Sequence, residues 1–350
     1  GIFLWFVFWQ DAVNSATIGG GLAAGLGVAL LGLVIAAAIC HFLFYLIPGI
    51  LGMRTGLPLY IVGTSTFGAT GGFLMPGFLM GVLQFGWLGV NAYFSAILLA
   101  ALLPVPPQIL MVIWGVLAAF IGLKGIQYVA RVATYLPLIP LITLLLLFFK
   151  TVGGLSGFDP AALAETHTTV AQTGCFTAAP PPALDALGLH HMGNGVLALL
   201  ITYVVGFFAT AGAAGVDFGL NSRHKKDVNY GGLFGIALAI ILTAGLSTCI
   251  VAGVHGSKEL SGKAEAAAIA TVEKAVADAE AAAAKAGKQL ADEDLEKIAV
   301  DATPNALYRT TSLLSVVLGD NVARVLMFLL ALAAFPSACF SSFIAANSFK

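Results

Sequence analysis

Gln84, Trp87 and Asn91 stand at i, i+3 and i+7 within an apolar run from about Phe73 to Leu103. In a helix that spacing puts an amide, an indole and a second amide on one face. The run is long enough to cross a bilayer. In lipid, such polar groups face a bundle interior or a water-filled cavity rather than acyl chains. An aromatic plate between two amides suits a flat solute that stacks on the indole and hydrogen-bonds at its edges.

A second kind of chemistry resides in backbone that helix breaks set free. Phe8-Trp-Gln-Asp-Ala-Val-Asn-Ser-Ala-Thr-Ile-Gly-Gly-Gly carries five polar residues and three consecutive glycines in a membrane run. Glycine weakens a helix, and Asn and Ser offer its backbone other partners. A break there frees carbonyls suited to a small hard cation, and such breaks are tolerated where backbone lines a cavity. A glycine packing face is the alternative. The run Gly206-Phe-Phe-Ala-Thr-Ala-Gly-Ala-Ala-Gly-Val-Asp-Phe is again glycine-rich, and two interrupted spans five positions apart point to inverted-repeat transporters. Close helix packing explains the same residues equally well. In Phe335-Pro-Ser-Ala-Cys-Phe-Ser-Ser, Pro336 frees a carbonyl near Leu332. Ser337, Ser341 and Ser342 supply hydroxyls there for an ion or solute, or bond back to their own helix.

Asp11 and Asp217 are the carboxylates that fall within expected spans, and an intramembrane acid is a functional candidate by default. Asp217 lies beside a basic loop, where pairing with Arg223 or Lys225 is expected. Asp11 is a candidate proton carrier, cation attractor or gating residue, or simply a residue near the outer cavity. Nothing supports hydrolysis or redox chemistry. No nucleophile stands in a GxSxG and no GxxxxGK[ST] occurs. His190 and His191 lie in a loop without nearby acids. The expectation is a protein that is not an enzyme and needs no cofactor.

The elements that must position these groups are membrane helices. Apolar residues make up 59% of the chain and charged residues 9%, against roughly 25% charged in soluble domains. The net charge of −1 and the lack of a basic tract argue against a nucleic-acid partner. Cys40, Cys175, Cys249 and Cys339 form no metal or disulfide spacing. Eight spans are expected, near 2–24, 27–51, 73–103, 107–124, 133–150, 195–218, 230–254 and 321–346. Between the second and third, Gly52–Gly72 reads as an interfacial or re-entrant segment. The basic loop Asn221–Asp227 belongs in the cytoplasm by the positive-inside rule. Arg54, Lys124 and Arg131 follow by alternation, and the first span then runs from inside to outside.

Gly153–Gly193, with Pro180–Pro182, reads as an outer loop. The organisation expected is helices one to seven over 1–254, an Ala/Lys/Glu-rich extramembrane helical insert over 255–305, and an outer segment with helix eight over 306–350. The insert reads as a two-helix hairpin broken near Gly287. It is either a solubilising insertion or a partner-binding or gating element. Both ends of the chain look cut.

The blocks Arg54-Thr-Gly-Leu-Pro, Ser65-Thr-Phe-Gly, Gln84-Phe-Gly-Trp-Leu-Gly-Val, Ala214-Gly-Val-Asp-Phe-Gly, Asn221-Ser-Arg-His-Lys-Lys-Asp-Val and Gly231-Gly-Leu-Phe-Gly-Ile resemble the nucleobase–cation symporter family of cytosine permeases and hydantoin transporters. The likeness extends over nearly the whole chain except the insert. It implies an all-α membrane fold, the leucine-transporter-type five-plus-five inverted repeat with discontinuous first and sixth helices, here ending after the eighth helix.

It further implies cation-coupled symport of a nucleobase or related planar heterocycle (purine, pyrimidine, allantoin or hydantoin) by alternating access, at an inner or plasma membrane. Trp87 would stack on the ring, Gln84 and Asn91 would hold its edges, and Phe207 or Phe208 would face it. Ser341 and Ser342 belong to the same candidate set. A sodium site would use carbonyls at Phe8, Ala12 and Ala333 with the hydroxyl of Ser337. The chain departs from hydantoin transporters in having Asn91 where they have Gln, Phe for Trp in the sixth span, and Pro-Ser-Ala-Cys in the eighth. Sodium and the proton therefore both stand as coupling ions. A membrane substrate sensor and a channel-like bundle are the alternatives.

Overall fold

The computed structural model describes residues 4–13, 20–163, 192–220, 222–306 and 308–348. Every regular element among the described residues is helical. Five helices are long and apolar enough to cross a membrane: Leu26–Thr55, Leu79–Ala100, Ala133–Gly157, Lys225–Gly256 and Asp320–Ala346. The shorter apolar helices Pro107–Leu123 and Gly195–Phe208 fall on two further expected spans. The chain thus has the make-up of a polytopic membrane protein.

In the first expected span, helix α1 is described over Leu4–Val13. Leu22 N–H donates to the Ala12 carbonyl at 2.9 Å. Side chains from elsewhere pin α1: Ser247 Oγ donates to the Trp5 carbonyl at 2.6 Å and Thr310 Oγ1 to the Phe6 carbonyl at 3.0 Å.

Next come α2 (Leu26–His41), a π-helical turn (Phe42–Leu46) and α3 (Ile47–Thr55), one continuous rod. Gly56, at φ 63°, ends it in the left-handed conformation that glycine adopts without strain. The segment expected to be interfacial is helix α4 (Leu59–Gly72), kinked at Gly68, where φ is 71° and ψ 173°. A π-helical turn (Phe73–Phe78) leads into α5 (Leu79–Ala100), followed by α6 (Pro107–Leu123), α7 (Ile126–Tyr135) and α8 (Leu138–Thr151).

After the outer segment, whose residues 164–191 lie outside the description together with Cys175, His190 and His191, come α9 (Met192–Gly219), α10 (Lys225–Gly232), a third π-helical turn (Leu233–Leu238) and α11 (Ala239–Gly256). The insert folds as α12 (Lys258–Lys285) and α13 (Asp292–Ala306), packed on each other. Gly287, at φ 67°, makes the turn. Its N–H donates to Ala284 O and that of Lys288 to Ala283 O, a Schellman cap. Helices α14 (Thr310–Leu318), α15 (Asp320–Ala333) and α16 (Phe335–Ser348) complete the chain. The last span divides at Ala334, two residues before Pro336, whose missing N–H cannot continue the ladder.

Two sets of helices emerge. In one, α2 and α3 pack on α9, and α11 packs on α1, α2 and α8. In the other, α5, α6, α7 and α16 pack together, with α15 against α5. The first set is drawn tight by glycines. A Cβ on Gly52 would overlap the Val216 carbonyl, and one on Gly219 the Gly49 carbonyl, so α3 and α9 meet backbone to backbone. On α6, Ile109, Val112, Ile113, Val116, Phe120 and Leu123 all point outward. That apolar stripe has no cover among the described residues and suits lipid contact.

Candidate functional site

Between the two sets lies a cavity of about 510 Å³. The amide–indole–amide stripe forms its α5 wall: Gln84, Trp87 and Asn91 all line it. Gln84 is buried, and its Nε2 reaches only the Met80 Sδ, at 3.8 Å. Thioether sulfur is a weak acceptor, and Oε1 has no partner among the described residues. Asn91 is likewise buried and is oriented by its own helix: Nδ2 donates to the Trp87 carbonyl at 2.8 Å. Its Oδ1 has no hydrogen-bond partner among the described residues. Ser95 locks the next turn, donating to the Asn91 carbonyl at 2.8 Å and reaching Ala331 O on α15 at 3.4 Å.

Opposite stands an aromatic wall from α9. The Phe207 ring lies 5.7 Å from Trp87, tilted by 40°. Tyr203 meets Phe207 edge-on at 4.8 Å, and Phe8 packs on Tyr203 at 5.4 Å. A continuous aromatic row therefore joins the cavity to α1. Phe208 also lines the space.

From α16, Ser337 and Ser341 face the cavity. Ser342 does not. Its hydroxyl donates to Ala338 O at 3.0 Å, and its Cβ lies against Gly122 of α6.

The four positions expected to hold sodium are not gathered at this cavity. Ser337 lines it, while Phe8, Ala12 and Ala333 are absent from its walls. The Phe8 ring is packed into the core, and the Ala12 carbonyl accepts from Leu22. Asp11 lies on α1, with its side chain outside the described residues. Asp217 makes no ion pair with Arg223 or Lys225 among the described residues. Its Oδ1 instead accepts the Leu59 N–H at 3.0 Å. That amide is one of the unpaired donors at the start of α4, where Pro58 offers no side-chain acceptor.

Several wall residues escape a reading by sequence. Met80 does carry a signal, standing one turn before Gln84 on the same stripe. Trp5, Thr243 and the pair Phe218 and Phe340 carry none, because only packing brings their helices here. The last two rings stack at 5.8 Å and 10° across α9 and α16. Thr243 spends its hydroxyl on Ala239 O at 2.6 Å.

None of the described lining residues bears a formal charge. The chamber therefore favours a neutral solute with an aromatic face and hydrogen-bonding edges. Comparisons with protein-family models, curated proteins and solved structures gave no match to this chain.

Proposed function

We propose that this protein is a secondary transporter that carries a neutral planar heterocycle of nucleobase, allantoin or hydantoin type in symport with a cation. The observation that carries the reading is the uncharged cavity in which two under-satisfied buried amides, Gln84 and Asn91, flank the half-buried ring of Trp87. Buried polar groups are ordinarily paired. A solute with edge donors and acceptors would complete both amides while its face covers the indole. The volume lies in the range of small-molecule sites, about 300–1,000 Å³.

The position of the cavity supports transport over simple binding. It sits between two helix sets rather than inside one, so movement of one set against the other would expose it to alternate sides. This reading accommodates the five-plus-five repeat implied by the resemblance, while the sixth span, expected to be discontinuous like the first, is one unbroken helix over Met192–Gly219.

The test is uptake of radiolabelled uracil, cytosine, allantoin and hydantoin into proteoliposomes, each competed by the other three. Saturable, gradient-driven accumulation of one of them is the expected result. Binding without flux would replace transport with a sensor. Non-saturable flux would replace it with a channel.

A further inference from the structure

We propose that the coupling ion is the proton and that it binds at Nδ1 of His41. This inference rests on the symport reading above and names its ion and site.

His41 lies midway along the continuous Leu26–Thr55 rod and is 1% exposed. Its Nε2 is 3.3 Å from Asn229 Oδ1 on α10. Amide oxygen only accepts, so the proton of the neutral ring sits on Nε2 and Nδ1 carries a bare lone pair. Nδ1 is buried without a hydrogen-bond partner. It faces Gly232, where even a Cβ would come within 2.6 Å of it. Among the described residues nothing accepts a hydrogen bond from that nitrogen.

The charged and titratable groups on the surrounding elements do not supply a counter-ion. On α9, Asp217 is engaged by the Leu59 amide. On α10, Asp227 caps the helix start through the His224 N–H, and His224, Lys225, Lys226 and Tyr230 are the other titratable groups there. Arg54 is one helix segment away on α3, and Tyr45 and Cys40 are the titratable neighbours on the rod itself. Among the described residues no carboxylate lies within ion-pair distance of His41. A proton on Nδ1 would here be a buried charge with no partner.

The consequence is state dependence. With the seam between α2 and α10–α11 closed, Nδ1 is buried from solvent and has no acceptor beside it among the described residues. When the seam opens, Nδ1 meets water and takes a proton. An ion that binds one conformation better than the other biases the equilibrium by that difference. Histidine is the side chain suited to make this change near neutral pH.

The backbone is built for such a movement. A π-helical turn follows His41 directly (Phe42–Leu46), and another follows Gly232 directly (Leu233–Leu238). Such turns recur at functional sites in helices. The second carries Gly235 and leads to Ala239, both in the cavity wall. A change in that turn would move the proton seam and the solute chamber together. In the cycle, Nδ1 takes one proton from water in the open state and returns it to water on the other side. No covalent bond to the solute is made.

The experiment uses the full chain in proteoliposomes with trapped pH dye and radiolabelled uracil, cytosine, allantoin or hydantoin. For the wild type, an inward proton gradient without sodium should drive accumulation, and solute should acidify the lumen. His41→Gln should keep solute-for-solute exchange yet lose gradient-driven accumulation by about tenfold or more. Asn229→Asp places a carboxylate beside the ring and should shift the half-maximal pH of transport upward by about one pH unit or more.

Accumulation driven by sodium with no lumen acidification would overturn the proton site and leave the transport reading standing. Undiminished proton-driven accumulation in His41→Gln would do the same. Absence of any exchange in the wild type would overturn both. Should His41→Gln fail to fold, wild-type acidification and the Asn229→Asp shift decide the matter.

Discussion

Replacing Trp87 with alanine removes the plate on which the solute is expected to rest. Its size can be worked from the cavity. A ring held between Trp87 and Phe207 would need two contacts of about 3.5 Å each. The two rings are only 5.7 Å apart and tilted by 40°. The solute therefore covers one face of Trp87 and cannot be sandwiched without moving Phe207. Base–aromatic stacking contributes about 1–3 kcal/mol by alanine substitution. One-sided stacking places the loss in the lower half, about 1–2 kcal/mol, or about 5- to 30-fold in Kd. The protein itself should persist. Trp87 is half-buried, and its pairing with Phe207 is worth about 0.5–1.5 kcal/mol. The assay is equilibrium binding of the radiolabelled heterocycle to detergent-purified protein, with thermal unfolding measured in parallel. Trp87→Phe should recover much of the affinity. Affinity within twofold of wild type for Trp87→Ala, or equal loss in both variants accompanied by unfolding, would refute the reasoning.

Gln84→Leu should act in opposite directions on stability and binding. Without solute, replacing an under-satisfied buried amide by an apolar group leaves the melting temperature unchanged or raised, while binding weakens by about 0.5–1.5 kcal/mol. Gly52→Ala should destabilise by about 1–3 kcal/mol in thermal unfolding, because its Cβ meets the Val216 carbonyl. Gly86→Ala, with open space around its Cβ position, should be neutral or stabilising by up to about 1 kcal/mol. Burial, with a smaller contribution from nearby Glu265, pushes the Tyr308 phenol up from its ordinary value. The folded state then holds that proton more tightly than the unfolded chain. This contribution to stability is fully present below the ordinary phenol value of about 10 and is lost as pH rises toward the folded value. Denaturant unfolding followed upward through that window should show the loss in wild type and a smaller one in Tyr308→Phe.

Much of the α5 wall was legible in the chain, since i, i+3 and i+7 name a face whatever the helix packs on. Met80, at i−4 from Gln84, belonged to the same pattern. Gly287 likewise marked where the insert turns, while Pro336 was read as freeing a carbonyl within one span and the structure divides that span at Ala334. The cation set depends on packing rather than on spacing. Whether carbonyls at Phe8 and Ala12 approach Ala333 and Ser337 depends on the placement of α1, which hydroxyls of Ser247 and Thr310 hold against α11 and α14. Asp217 shows the same limit. A basic loop next to it suggested an ion pair, yet the N-terminus of α4, distant in sequence, supplies the donor.

Composition and periodicity alone established an all-helical membrane chain with a polar stripe on its third apolar run, because 59% apolar residues leave few other solvents for such helices. Spacing along a helix is a local property, so Gln84, Trp87 and Asn91 needed no fold to be grouped. Only the tertiary structure decided what faces them: Phe207 across the cavity, Ser341 beside it, Ser342 turned away to α6. It also decided that His41 shares a seam with Asn229 and Gly232, nearly two hundred positions later in the chain. Contacts between helices arise from the close approach of Gly49, Gly52, Gly219 and Gly232 to their partners, and no pattern within one helix encodes which surface another will present.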